Sequence, residues 1–287
     1  MNIRSRRTLQ AILGFIWLLD GVLQLKPQMF TQAFINQVVL PTAQGQPSLI
    51  QHMITASAHL VAPHIAVYNL LFALVQLAIG LFLLINRWVK PILIVSFVWA
   101  AIVWSLSEGF GMLIAGNATF LTGAPGAVFL YGLIGILIWP TQETLIPGSF
   151  LSKKRMFIAR ISLFVLWMLG AVLQAQPLYW SQAGLQGLFT INAFNQLASS
   201  HPFFLDLVIM ILMAITGILL LFNHKKWQVI GFWLTILLAL FIWWAGEGFG
   251  QMLTPLGTDP NSGPLLILLA LCTQPIRFAS RYQTRQA

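Results

Sequence analysis

Residues 65–86 read IAVYNLLFALVQLAIGLFLLIN, an apolar run without a single charged side chain. Crossing a hydrocarbon core of about 30 Å takes roughly 20 such residues in a helix, so this stretch is predicted to span a membrane. Working outward, seven further segments fit the same template, approximately 8–25, 91–108, 125–140, 157–175, 203–223, 227–247 and 263–276. The first, fifth and eighth are marginal in length, and Arg160 is tolerable in the fifth only if its guanidinium reaches back to the interface. Composition points the same way: the chain is 58% hydrophobic and 7% charged, where soluble domains average about 25% charged residues. The expected fold is all-α, a polytopic membrane protein of eight transmembrane helices.

The net charge of +9 does not indicate nucleic acid, because the basic residues sit in short clusters between apolar runs rather than on one polar face. Arg4, Arg6 and Arg7 precede the first span, and Arg87 and Lys90 separate the second and third. Lys153, Lys154, Arg155 and Arg160 flank the fourth and fifth, Lys225 and Lys226 join the sixth and seventh, and Arg277, Arg281 and Arg285 follow the eighth. Only Lys26 falls on the other side. Cytoplasmic flanks retain Lys and Arg, so the expected topology is multi-pass in the cell membrane with both termini cytoplasmic. The single cysteine, Cys272, excludes an intrachain disulfide, a redox pair and a Cys-rich metal site. The Arg-rich start resembles a signal peptide but lacks a small-residue cleavage pattern before Pro27, and it is read as a retained first span.

The chain also repeats itself. Val22-Leu23-Gln24 with Pro27 and Gln32-Ala33 recur as Val172-Leu173-Gln174 with Pro177 and Gln182-Ala183. His64, Asn69, Gly80 and Asn86 recur as His201, Asp206, Gly217 and Asn223. Trp104, Glu108-Gly109-Phe110-Gly111, Thr119 and Pro125 recur as Trp243, Glu247-Gly248-Phe249-Gly250, Thr258 and Pro264. Two four-span repeats in the same orientation, related by a pseudo-two-fold axis along the membrane normal, are expected. The first covers 1–146 with an outer amphipathic segment at 27–64, and the second covers 147–287 with an outer segment at 176–202. Stretches 28–40 and 48–62, broken near Pro41 and Gly45, and their counterpart 178–200 are expected as short helices at the outer interface.

Ionisable groups at membrane depth are costly and face a bundle interior or a cavity. Of six acidic residues, all but Glu143 map to the outer half. Glu108 and Glu247 stand out, each with a tryptophan one turn earlier, Trp104 and Trp243, on the same helix face. As a pair they are candidates for binding or proton handling; alternatively each carboxylate merely ends its helix and anchors the Gly-Phe-Gly turn. Asp20, Asp206, His64 and His201 complete the candidate set. Asp20 has no acidic counterpart, and an ion pair of Lys26 with Asp20 or Glu108 is one structural use for it. Gln24 and Gln174 can bond between spans as packing glue. Thr122 and Ser262 are suitable caps for spans four and eight. Outer histidines His52, His59 and His64, with Met29, Met53 and Met112, have the donor chemistry of a copper site, although their spacings match no compact motif and methionine more often fills packing gaps.

Two stretches, Asp20-Gly21-Val22-Leu23-Gln24-Leu25 and Gly80 to Arg87, the latter echoed by Gly217 to Lys225, resemble the DoxX/DoxD family of small four-helix membrane proteins. The resemblance implies that each half is one such bundle, and it implies association with quinone-linked sulfur oxidation or redox maturation. The paired Glu-Gly-Phe-Gly motif and the long outer segment depart from that pattern, and no catalytic residue carries over.

Three functions follow as expectations. The first is a membrane subunit of a redox or maturation system, with an outward-facing polar and aromatic cleft suited to a quinone, a haem or another amphiphile, and a membrane or extracytoplasmic redox partner. The second is a proton- or cation-coupled transporter or channel using the paired outer-side glutamates. The third is a non-catalytic scaffold for an extracytoplasmic partner.

Overall fold

Helix α1 (Ile3–Leu23) lies against α3 (Ile65–Leu84) with glycine on both faces. A Cβ at Gly14 would stand 2.9 Å from the Gly80 carbonyl, and one at Gly80 would stand 2.6 Å from the Leu18 amide. Small residues thus let the two backbones approach closely, which is how helices associate where lipid removes the hydrophobic driving force. Polar side chains fix the register at both ends. Gln10 Nε2 donates to the Leu83 carbonyl at 2.8 Å and to Asn86 Oδ1 at 3.0 Å, while Gln24 Nε2 donates to Asn69 Oδ1 and Asn69 Nδ2 returns a bond to the Gln24 carbonyl.

The computed structural model describes residues 3–141 and 149–274, all-helical with no strand among them. After α1, short turns over 27–43 lead to α2 (Ser48–Val61), which runs through a tight turn at Ala62–His64 into α3. Then come α4 (Val89–Leu106), α5 (Ala127–Leu137), α6 (Lys153–Gln174), α7 (Asn192–Ser200), α8 (Pro202–Leu221), α9 (Lys225–Phe241) and α10 (Ser262–Leu271). The α6–α8 pair is held by Gln174 Nε2, which donates to Asp206 Oδ1 at 2.6 Å, and by Gly217 against Phe164 and Trp167. The interspan bonding expected of Gln24 and Gln174 is therefore present in both halves.

Among the described residues, five helical stretches are long and apolar enough to cross a membrane: Ser48–Leu84, Val89–Leu106, Lys153–Gln174, Pro202–Leu221 and Lys225–Gly246. The expected spans 125–140 and 263–276 come out shorter, as α5 and α10. At 1.5 Å per residue these helices are only about 16 and 15 Å long. They are also the most enclosed of the helices α1 to α10, with seven of the ten residues of α10 buried. Irregular backbone precedes each, and such backbone is tolerated at depth where protein surrounds it. At its far end α5 is closed by Arg155 of α6, whose guanidinium donates to the carbonyls of Leu137 at 2.7 Å and Trp139 at 2.6 Å.

Among the described residues, the basic clusters gather at one end of the bundle. Gln10 ties the start of α1 to Asn86, Arg155 ties the start of α6 to the end of α5, Gln274 donates to the Gln228 carbonyl, and Arg6 feels the charge of Arg155. Glu143 and the last basic cluster, Arg277, Arg281 and Arg285, lie outside the described residues.

Candidate functional site

At the opposite end of the bundle α4 stops at Leu106, and the chain makes a left-handed turn in which Gly109, Phe110, Gly111 and Met112 all have positive φ, between 54° and 63°. Gly248, Phe249, Gly250 and Gln251 do the same after α9, with φ between 49° and 69°. Left-handed conformations are unfavourable for residues with a Cβ, and Phe110 and Phe249 are held there by edge contacts to Trp104 and Trp243, at 5.1 and 5.0 Å between ring centroids. The two indoles donate in turn to the carbonyls of Pro125 and Pro260, both at 2.7 Å. Trp243 thus uses Pro260, not the Pro264 that the sequence aligns with Pro125.

The two glutamates do different things. Glu247 is buried at the start of α10, where it accepts from the Ser262 hydroxyl, from the Ser262 amide at 3.2 Å and from the Gly263 amide at 3.1 Å. It neutralises a helix N-terminus, the use expected of a carboxylate there, while Asn261 rather than Ser262 is the capping residue. Glu108 meets the start of α5 through one oxygen only, with the Val128 amide at 3.4 Å from Oε1, and its Oε2 has no hydrogen-bond partner. Glycine is required beside it, since a Cβ on Gly126, at φ +107°, would lie 2.2 Å from that oxygen. Gly126, not Thr122, precedes α5.

Glu108 opens instead on a cavity of about 720 Å³ enclosed by α1, the 34–42 segment, α2, α3, α4 and α5. Asp20 faces the same space. Only 3% exposed, it accepts from the Tyr131 hydroxyl through Oδ2 and leaves Oδ1 without a partner. A third carboxylate, Asp259, comes from the other half of the chain. Burial pushes the Asp259 carboxyl above its ordinary range, while bonds from the Thr258 hydroxyl and the Asn261 amide pull it back. Asp20 feels the charge of both other acids, and Glu108 feels that of Asp259. The walls are mostly aliphatic and aromatic, with Trp17, Tyr68, Phe72 and Trp99 prominent, and Leu60 and Ile102, 68% and 44% exposed, stand where the cavity reaches the surface.

Asp20 and Glu108 are therefore brought together, with Trp104 packed behind. Trp243 and Glu247 form a separate cluster around α10, and Asp206, outside the cavity, accepts from Gln174 through Oδ1 while its Oδ2 has no partner. His52, His59, His64 and His201 are exposed, and no group of three or more His, Cys, Asp or Glu able to hold a metal ion occurs among the described residues. Lys26 makes neither proposed ion pair. Its ammonium donates to the carbonyls of Met252, Thr254 and Gly257 at 2.7, 2.8 and 2.9 Å, which uses all three of its N–H donors and holds the loop that carries Asp259.

Tyr131 goes unmarked in the sequence reading, and Asp259 enters it only as one of the five outer acids. A tyrosine in an apolar span needs a partner for its hydroxyl and could have been flagged for that; nothing local marks Asp259 as facing the other half. For a haem iron the described lining offers no histidine or cysteine, only the thioether of Met112 and the phenols of Tyr68 and Tyr131. No protein-family model, no curated protein and no solved structure matches this chain.

Proposed function

We propose that this protein takes up an amphiphilic small molecule from the outer leaflet of a membrane, as a membrane-bound receptor or subunit rather than a soluble enzyme. The carrying observation is the cavity itself: an apolar, aromatic chamber that reaches the surface at Leu60 and Ile102 and presents unpartnered oxygens of Asp20 and Glu108 in its depth. An apolar volume of several hundred Å³ with few polar groups is what drug-sized ligands occupy. A quinone is the occupant that the redox-subunit reading, and the DoxX-like resemblance behind it, requires.

The membrane setting adds that both termini face the cytoplasm, a reading supported by the described basic clusters, which share one end of the bundle while Lys26 stands at the other. The eight-span duplicated architecture is supported by the paired Gln24–Asn69 and Gln174–Asp206 bonds, the two left-handed Gly-Phe-Gly turns and the two Trp-to-Pro bonds. In that architecture α5 and α10 serve as half-depth helices completed by the loops before them. The paired-glutamate transporter has less support, since Glu247 is engaged by Ser262 and Gly263 away from the cavity.

The test is saturable binding. Purified protein in nanodiscs should quench or enhance tryptophan fluorescence on titration with single-chain amphiphiles, and Ile102→Trp, which fills the mouth, should abolish the response. Titrations that never saturate, or that Ile102→Trp leaves unchanged, rule the uptake reading out.

A further inference from the structure

The polar atoms left without partners around the cavity are not a random mixture. Asp20 Oδ1, Glu108 Oε2 and Gln76 Oε1 are all buried oxygens with no hydrogen bond, and all are acceptors. The unpartnered donors are the indole N–H groups of Trp17 and Trp99, whose rings also offer faces to a cation. Three carboxylates face the space, and none of the described lining residues is Lys, Arg or His. A buried acceptor left without a donor is costly, so the occupant that gains most brings N–H donors and positive charge. An anionic group would meet three acids and no base. A quinone offers only acceptor carbonyls.

Resting on the uptake reading above, we propose that the cavity selects amphiphiles whose head is a protonated amine, with its N–H groups directed at Asp20, Glu108 and Gln76 and its chain lying among Tyr68, Phe72 and Trp99 toward Ile102. Phosphate-bearing zwitterions are excluded by the same argument, because the lining has no base for the phosphate.

A matched series tests this on the full-length protein in nanodiscs: dodecylamine, dodecanol, dodecyl phosphate and a short-chain quinone, with binding taken as the saturable signal that Ile102→Trp removes. Dodecylamine is expected to bind at least tenfold more tightly than dodecanol, and dodecyl phosphate to give no saturable signal. Asp20→Asn and Glu108→Gln are each expected to reduce amine affinity about tenfold and dodecanol affinity by much less, so that the amine preference collapses, and the saturable dodecanol binding that remains shows that these variants are folded. Equal affinity for amine and alcohol, or preference for the quinone or the phosphate, overturns the amine assignment while leaving uptake standing. Absence of saturable binding by every member overturns both.

Discussion

Glu108 and Glu247 carry the same local sequence and end in different chemistry because the connections leading away from them differ in length. Thirteen residues lie between Gly111 and Pro125 and nine between Gly250 and Pro260, so the shorter connection draws α10 onto Glu247 until both of its oxygens are bonded. The longer one leaves Glu108 Oε2 facing the cavity. Gly126 is the residue on which this depends. Gly126→Ala puts a methyl group against the carboxylate at a φ that L-residues avoid, and should destabilise the protein by about 1–3 kcal/mol, read as a lowered Tm. Gly132→Ala, in the interior of α5 with nothing within 4 Å of the added Cβ, should leave Tm unchanged or slightly raised; equal losses in both would show that Gly126 has no special role. Asp259 gives a pH dependence. Its folded-state pKa is raised above the ordinary 3.8 by burial, so the folded protein binds more protons than the unfolded chain. That contribution is fully present below about 3.8 and is lost as pH rises through the raised folded value. The Tm of Asp259→Asn relative to wild type should therefore climb as pH is raised from about 4 toward neutrality, and a constant difference would show that Asp259 is not a buried acid.

At the scale of elements, much was legible and the exceptions share a cause. The run 65–86 becomes α3 (Ile65–Leu84), the amphipathic 48–62 becomes α2 (Ser48–Val61), and the break around Pro41 and Gly45 falls between 27–43 and α2. Hydropathy finds such segments because apolar length is a local property. It overstated spans four and eight, because α5 runs only from Ala127 to Leu137 and α10, although it starts at Ser262, stops at Leu271, and the backbone before them is enclosed by other elements rather than by its own helix. Which acids share a cavity was not legible either: Asp259 reaches the first-half cavity through tertiary packing, and Lys26, expected to pair with an acid, is committed to three backbone carbonyls instead. Hydrogen bonds to a charged group are worth about 1.5–3 kcal/mol when shielded, and less at a partly exposed site such as this one. Lys26→Met should accordingly raise amide hydrogen exchange across 252–259 severalfold and leave α3 and α8 protected. Unaltered exchange in that loop would mean that the ammonium is incidental to its position.

Across the whole molecule the two halves interlock by exchanging loops, and the exchange explains why the cavity belongs to the first half. The second-half loop at 252–259 is held on Lys26 at the end of α1, while the first-half loop at 117–124 is held on the corresponding end of α6. There the Thr119 hydroxyl donates to Gln174 and the Tyr179 hydroxyl donates to the Asn117 carbonyl at 2.5 Å. Phe120, 0% exposed, lies against Gly170 and the Trp167 ring, its centroid 5.9 Å away. Gly170 stands where the first half has Asp20, so a phenyl ring fills the place that remains open beside Asp20. Further toward the surface, Phe241 occupies the repeat position of Ile102 and packs with Phe194 at 5.2 Å. Leu121 completes the lock, for its carbonyl presses so closely on Gly246 that a Cβ there would stand 2.0 Å away. Removing the Phe120 ring takes away both core packing and the contact between halves. Phe120→Ala should cost about 3–5 kcal/mol, split the single thermal transition into two, and expose the loop at 117–124 to proteolysis before α1 or α3 is cut. If the variant melts in one transition at the wild-type temperature, the halves are joined by their other contacts, Lys26 and the α5–α10 packing among them, and the filling of the second half by Phe120 is a consequence of the fold rather than one of its causes.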